Sequence, residues 1–214
     1  MTTTIYGNEN ARNILIQPVD QHDLAFLENE VRAIREQTDK DFCLIAARVV
    51  SWNRDLAPWK APAVFGKEDF GDKAARTLEE ILQLCAGDQR TYFIGGYSLA
   101  GLFALWAAYQ ADCFSGVAAA SPSIWFPGFT AYMQTNSIRS RAVYLSLGDR
   151  EEKTRNAVMA AVGSRIRTAE EILVKQGTKC ILEWNPGNHF QDADLRTARA
   201  FAWVMNESGF PPEG

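Results

Sequence analysis

The chain has 214 residues, 47% of them hydrophobic, with 22 Lys and Arg against 26 Asp and Glu for a net charge of −4. That length and apolar content are enough for a substantial core, and residues 1–214 are read as one domain. The acidic balance and the lack of any Lys/Arg run argue against a nucleic-acid partner, and no apolar stretch approaches transmembrane length, so no membrane partner is expected. The start Met1-Thr2-Thr3-Thr4-Ile5-Tyr6 has no basic region followed by an apolar run, from which a cytoplasmic location is expected. Cys43, Cys85, Cys113 and Cys180 are widely spaced with no Cys-x-x-Cys pair, which predicts reduced thiols rather than bridges or metal ligands.

Strand-like runs recur at 13–19, 42–50, 91–95, 116–120, 142–147 and 179–184, and helical patterns lie between most of them. The first places Leu24, Leu27, Val31 and Ile34 on one face, and the second Leu78, Ile81, Leu82 and Cys85. Residues 99–110 are rich in Leu and Ala nearly all round, as a helix buried beneath a sheet would be. A third amphipathic face carries Val158, Val162, Ile166, Ala169, Ile172 and Leu173, and a last one Leu195, Ala198, Ala202 and Met205. Strand and helix alternating along the whole chain predict an α/β fold, a three-layer α/β/α sandwich around a mostly parallel sheet of about six strands. The tail from Phe210 to Gly214 is expected to fray.

One segment interrupts the alternation. Residues 51–72 carry two Pro, two Gly and several Asp and Asn. A long loop of this kind either packs on the surface or walls a pocket. Trp52, Trp59 and Phe65 are the residues that would line such a pocket or fill the gap beneath the loop.

The most informative stretch is Ile94-Gly95-Gly96-Tyr97-Ser98-Leu99-Ala100-Gly101. It joins a buried strand to an apolar helix, with Gly96 two residues before Ser98 and Ala100 two after. A serine on such a sharp strand-to-helix turn stands clear of the sheet, and only very small residues fit on either side of it. The N–H of Leu99, first in the helix, points to where an oxyanion would form.

A serine hydroxyl needs a general base, and the chain offers His22 and His189. His189 follows the last strand on a turn containing Pro186-Gly187, so a parallel sheet presents it at the edge that presents Ser98. It is the predicted base; His22 follows the first strand, on the oxyanion side. The imidazole needs a carboxylate to orient it, and Asp149, Glu151 and Glu152 follow the strand ending at Gly148. Spacing does not separate these three. The junction Ser121-Pro122-Ser123 holds no acid. A second oxyanion donor is expected after the first strand, where Pro18 has no N–H and Val19, Asp20 and Gln21 remain.

With these residues in hand, the chain resembles the α/β-hydrolase superfamily, and within it the esterase branch that includes esterase D-like and enterochelin-esterase-like enzymes. The resemblance rests on Gly-Tyr-Ser-Leu-Ala-Gly-Leu-Phe-Ala-Leu at 96–105, Ser-Pro-Ser-Ile-Trp at 121–125, Ser-Leu-Gly-Asp-Arg-Glu at 146–151 and Gly-Asn-His at 187–189. It covers the chain from about residue 90 onward; before that only the order of elements agrees. It implies Ser98 as nucleophile, His189 as base and, from the Gly-x-x-acid pattern starting at Gly148, Glu151 as the acid. The chain departs from larger members in lacking their extra N-terminal strands and any clear lid.

The reading is a serine hydrolase acting on a small-molecule carboxylic ester through an acyl-enzyme, with no cofactor. Trp52, Trp59, Trp125 and Phe126 are its candidate pocket walls. The alternatives are an acyltransferase using the same three residues, and a catalytically silent binding protein on the same fold.

Overall fold

The computed structural model describes residues 1–87 and 89–207, so the tail expected to fray lies outside the described residues. Seven strands form its sheet: β1 (Thr2–Gly7), β2 (Asn13–Val19), β3 (Phe42–Arg48), β4 (Thr91–Tyr97), β5 (Phe114–Ala120), β6 (Ala142–Gly148) and β7 (Lys179–Asn185). They lie in the order β1-β3-β2-β4-β5-β6-β7. All neighbours are parallel except β1, which runs antiparallel to β3 with Thr2 opposite Arg48 and Gly7 opposite Cys43.

The expected mostly parallel sheet of about six strands is present, and β1 adds a seventh strand that the hydrophobic runs did not mark. β1 is polar and exposed along most of its length and pairs on one side only, so it carries no buried alternating face for a sequence pattern to reveal. The six parallel strands fall where hydrophobic runs placed them. The five from β2 to β6 are buried over nearly their whole length, as strands covered on both faces must be, whereas the edge strand β7 is only partly buried.

Helices cover both faces: α1 (Leu27–Arg35), α2 (Trp52–Asp55), α3 (Ala74–Leu82), α4 (Leu99–Gln110), α5 (Phe129–Thr135), α6 (Ala157–Ala160), α7 (Val162–Lys175) and α8 (Ala193–Glu207). Side chains alternate along each strand between two cores. On β2, Ile14 and Ile16 join the core beneath α3, α4 and α7, while Leu15 and Val19 join the core beneath α1 and α8. α4 is buried at every position from Leu99 to Tyr109, matching its uniformly apolar sequence. The amphipathic faces hold in mid-helix and fail at the ends, where Leu82, Val158 and Leu195 are exposed. Among the described residues no helix is long and apolar enough to cross a membrane.

One polar pair sits within the second core. Gln17 of β2 and Glu30 of α1 are 5% and 3% exposed, and Gln17 Nε2 donates to Glu30 Oε2 at 3.3 Å. Burial pushes the Glu30 carboxyl well above the usual range; the Gln17 bond offsets this in part, and the charges of Asp194 and Asp23 add to it. The folded protein therefore holds this proton to higher pH than the unfolded chain does. The stability this group contributes is complete below the ordinary carboxylate pKa and is lost as pH rises through the raised folded value. Glu30→Gln is expected to raise the melting temperature at about pH 7.5, with the difference from wild type vanishing toward about pH 4. Thermal unfolding of both proteins across that range checks it.

Candidate active site

The sheet's strand order reverses between β2 and β4, whose C-terminal ends flank a crevice at the edge where ligands bind in open parallel sheets. Ser98 stands at the end of β4, with φ 58° and ψ −121°. A non-glycine residue rarely adopts that conformation, and here neighbouring backbone enforces it. The Ser98 N–H donates to the Ala120 carbonyl at 3.1 Å, while the Ser98 carbonyl accepts from the N–H groups of Leu102 at 3.1 Å and Ser123 at 3.0 Å. A Cβ on Gly96 would lie 2.7 Å from the Ala100 Cβ, so Ala at position 100 fits because position 96 has no side chain. The N–H of Leu99, first in α4, has no intrahelical acceptor.

The three side chains at the centre form one hydrogen-bonded chain. Ser98 Oγ lies 3.0 Å from His189 Nε2, and His189 Nδ1 lies 2.7 Å from Glu151 Oε2. The other two acids face elsewhere. Asp149 Oδ1 accepts from the Gly187 N–H at 2.8 Å, stapling the β6 loop to the loop carrying His189, and Glu152 turns toward Gly163 of α7.

The Glu151 side chain is 4% exposed. Burial drives its carboxyl up, but the bond and charge of His189 and the bonds from the Gly148 N–H and Ser121 outweigh that, leaving it below the usual range. Those two bonds, from Gly148 N–H at 2.7 Å and Ser121 Oγ at 2.8 Å, both fall on Oε1 and leave Oε2 to the imidazole.

Several neighbours have no obvious sequence signal. Arg196, on α8 and 2% exposed, donates through Nη1 to Glu151 Oε1 at 3.1 Å, the Tyr97 hydroxyl at 3.1 Å and Ser121 Oγ at 3.3 Å. Its Nη2 donates to the carbonyls of Pro186 at 3.0 Å and Asn188 at 3.2 Å, which fixes the loop bearing the histidine. The Tyr97 hydroxyl donates to the His189 carbonyl at 2.8 Å, and burial lifts that phenol to about 12. Ser123 Oγ lies 3.3 Å from Ser98 Oγ. The acid-free junction after β5 thus supplies two hydroxyls to the site, and its Ser-x-Ser spacing was the one available clue.

The residues of the expected oxyanion loop are held in different ways. Val19 closes β2, and its carbonyl accepts from the Val49 N–H at 2.9 Å. The Asp20 N–H is already engaged, donating to Asp23 Oδ2 at 3.1 Å, while Asp20 Oδ1 accepts from the N–H groups of His22 and Asp23. This tight Asx turn turns the Asp20 donor into the loop. His22 packs edge-on against Phe26 at 5.2 Å and has no bond to Ser98.

The aromatic walls are also redistributed. Trp59 donates its indole N–H to the Pro127 carbonyl at 2.9 Å and packs on Phe126, Phe129 and Tyr132, filling the space between loop and α5. Trp125 is buried against Phe65 and Phe70, Phe126 is fully buried, and Trp52 opens α2 packed on the core. These rings secure the 51–72 segment, which holds a helical turn and a bridge between Ala61 and Phe70.

The sheet order, its flanking helices and the serine turn define an α/β-hydrolase fold. Solved structures share it. An IroE-like serine hydrolase from Shewanella oneidensis is similar at TM-score 0.77 and 14% identity, over 98% of this chain and 77% of that one. The siderophore hydrolase EstA from Aspergillus nidulans is similar at TM-score 0.60 and 19% identity, over 94% of this chain and 85% of that one. The enterobactin esterase FES from Shigella flexneri is similar at TM-score 0.61 and 14% identity, over 95% of this chain and 54% of that one. No family model matches the chain, and no curated protein matches it.

Proposed function

We propose that the protein is a serine esterase that hydrolyses a small-molecule carboxylic ester through an acyl-enzyme. The observation that carries this reading is the continuous hydrogen-bonded chain from Ser98 Oγ through His189 to Glu151 at the sheet's C-terminal edge. Ser98 Oγ attacks the ester carbonyl carbon as His189 Nε2 takes its proton. Glu151 holds Nδ1–H and stabilises the imidazolium. The Leu99 N–H faces the developing oxyanion, and with the Asp20 N–H engaged, Val19 or Gln21 is the donor assigned from the loop after β2. Collapse of the tetrahedral adduct expels the alkoxide, which takes the proton from His189. Water activated by the same histidine then releases the acid and restores Ser98. The similarity to a serine hydrolase, a siderophore hydrolase and an enterobactin esterase favours ester chemistry over a silent fold. Four free thiols suit the reducing cytoplasm.

Labelling with a fluorophosphonate probe tests the reading, beside hydrolysis of p-nitrophenyl esters of increasing acyl length. The expected result is a single adduct on Ser98, with turnover whose chain-length optimum sizes the acyl site. An unlabelled Ser98 and no turnover at any length would identify a silent fold instead.

A further inference from the structure

A cavity of about 270 Å³ is lined by Tyr97, which precedes Ser98 in the chain, and by Phe190, which follows His189. Its interior is acidic: Asp23, Glu30, Asp192 and Asp194 line it, and no Lys or Arg does. Among the described residues none of these four carboxylates forms an ion pair. Asp23 accepts from the Asp20 N–H, Asp194 from the Asn29 side chain and Glu30 from Gln17, all neutral donors.

Two acceptors in this lining have no partner. Gln17 Oε1 and Glu30 Oε1 are buried without a hydrogen bond, on side chains 5% and 3% exposed. Buried oxygens ordinarily find a donor, so two orphans beside one cavity mark a place for a group rich in N–H. The mouth is apolar and aromatic, with Phe26, Phe190, Pro18 and the His22 ring, and Phe190 is 90% exposed. Such a rim accommodates a methylene chain and attracts a cation to its ring faces.

We propose that this cavity receives the leaving alcohol and binds a protonated primary amine carried on it, which makes the substrate an ester of an amino alcohol. The inference rests on the esterase reading above. The alcohol half is assigned because His189 must reach the leaving oxygen, and the cavity begins at the residue after that histidine. An ammonium supplies three donors and one positive charge, matching the two orphan oxygens and the uncompensated acids.

The test compares 5-aminopentyl butyrate with n-hexyl butyrate, in which –CH₃ replaces –NH₃⁺, with p-nitrophenyl butyrate as reference. The wild type is expected to favour the amino ester about tenfold or more in kcat/KM, and Glu30→Gln or Asp194→Asn to bring the ratio toward one. Methylating the amine to its quaternary form keeps the charge and removes the N–H donors, and is expected to lose most of the preference. Calorimetric titration with n-pentylammonium and with 1-pentanol reads the same discrimination without catalysis. Turnover of p-nitrophenyl butyrate with equal rates for the matched pair overturns this inference and leaves the esterase reading standing. With no turnover of any ester the esterase reading fails, and the titration decides the cavity alone: ammonium preferred and sensitive to Glu30→Gln supports a cation site, equal or absent binding overturns it.

Discussion

Ser98→Ala and His189→Ala are each expected to lower kcat/KM for p-nitrophenyl esters by about 10⁴-fold or more, and the double variant by little more than either single. The reason is geometric. The hydroxyl and the imidazole act through one 3.0 Å contact, so removing either end removes the same proton transfer. What remains is the work of the Leu99 N–H and whatever binding holds the ester in place. Ser123 makes the experiment discriminating, because its Oγ lies 3.3 Å from that of Ser98. If Ser98→Ala retained substantial turnover that Ser98→Ala/Ser123→Ala abolished, the nucleophile would be Ser123 and the proposed scheme would be wrong. Steady-state kinetics of the four variants beside the wild type, with circular dichroism to verify folding, settles it.

Arg196→Leu is expected to give the largest loss of stability of any single substitution near the site, about 3–5 kcal/mol. Its guanidinium serves five acceptors on four segments of chain, the Glu151 carboxylate among them, at 2% exposure. Truncation leaves two backbone carbonyls and a buried carboxylate oxygen short of a donor. At about 2–4 °C per kcal/mol for a domain of this size, the melting temperature should fall by roughly 6–20 °C. Arg196→Lys keeps the charge but not the planar fork, and should recover only part of the loss. Because Glu151 is held below its ordinary value, its own contribution is complete at neutral pH and disappears as pH falls through the lowered folded value. The gap between wild type and Arg196→Leu should therefore narrow on acidification. Equal melting temperatures at neutral pH would contradict this account.

The parallel strands and α4 were legible because burial on both faces writes itself into sequence as unbroken apolar runs. The serine turn was legible because its small flanking residues are required by backbone approach, seen in the 2.7 Å that would separate a Cβ on Gly96 from Ala100. Chain order brought Ser98 and His189 together because a parallel sheet gathers its C-terminal ends. β1 was not legible, since a polar strand on an open edge has no buried face. Arg196 was hidden by its own helix, where a charge on an amphipathic pattern reads as a solvated position although the residue turns inward to Glu151. The tryptophans stayed ambiguous for a related reason: large rings suit a pocket wall and a packed loop equally, and composition does not say which side of the ring the loop will cover. Spacing alone did not separate Asp149, Glu151 and Glu152, because the contact that sets Asp149 apart, with the Gly187 N–H, joins segments 38 residues apart; the choice of Glu151 came from the resemblance.

The three backbone hydrogen bonds that pin the Ser98 peptide have a kinetic meaning. The configurational entropy of placing the reacting oxygen is lost once, when the chain folds, and is not lost again as each ester arrives. The choice of the incoming molecule falls instead to side chains on the segments around it, such as Phe190 on the turn after β7, which is 90% exposed. A catalyst arranged this way can change its choice of ester through those margins while the timing of its bond-making step stays the same.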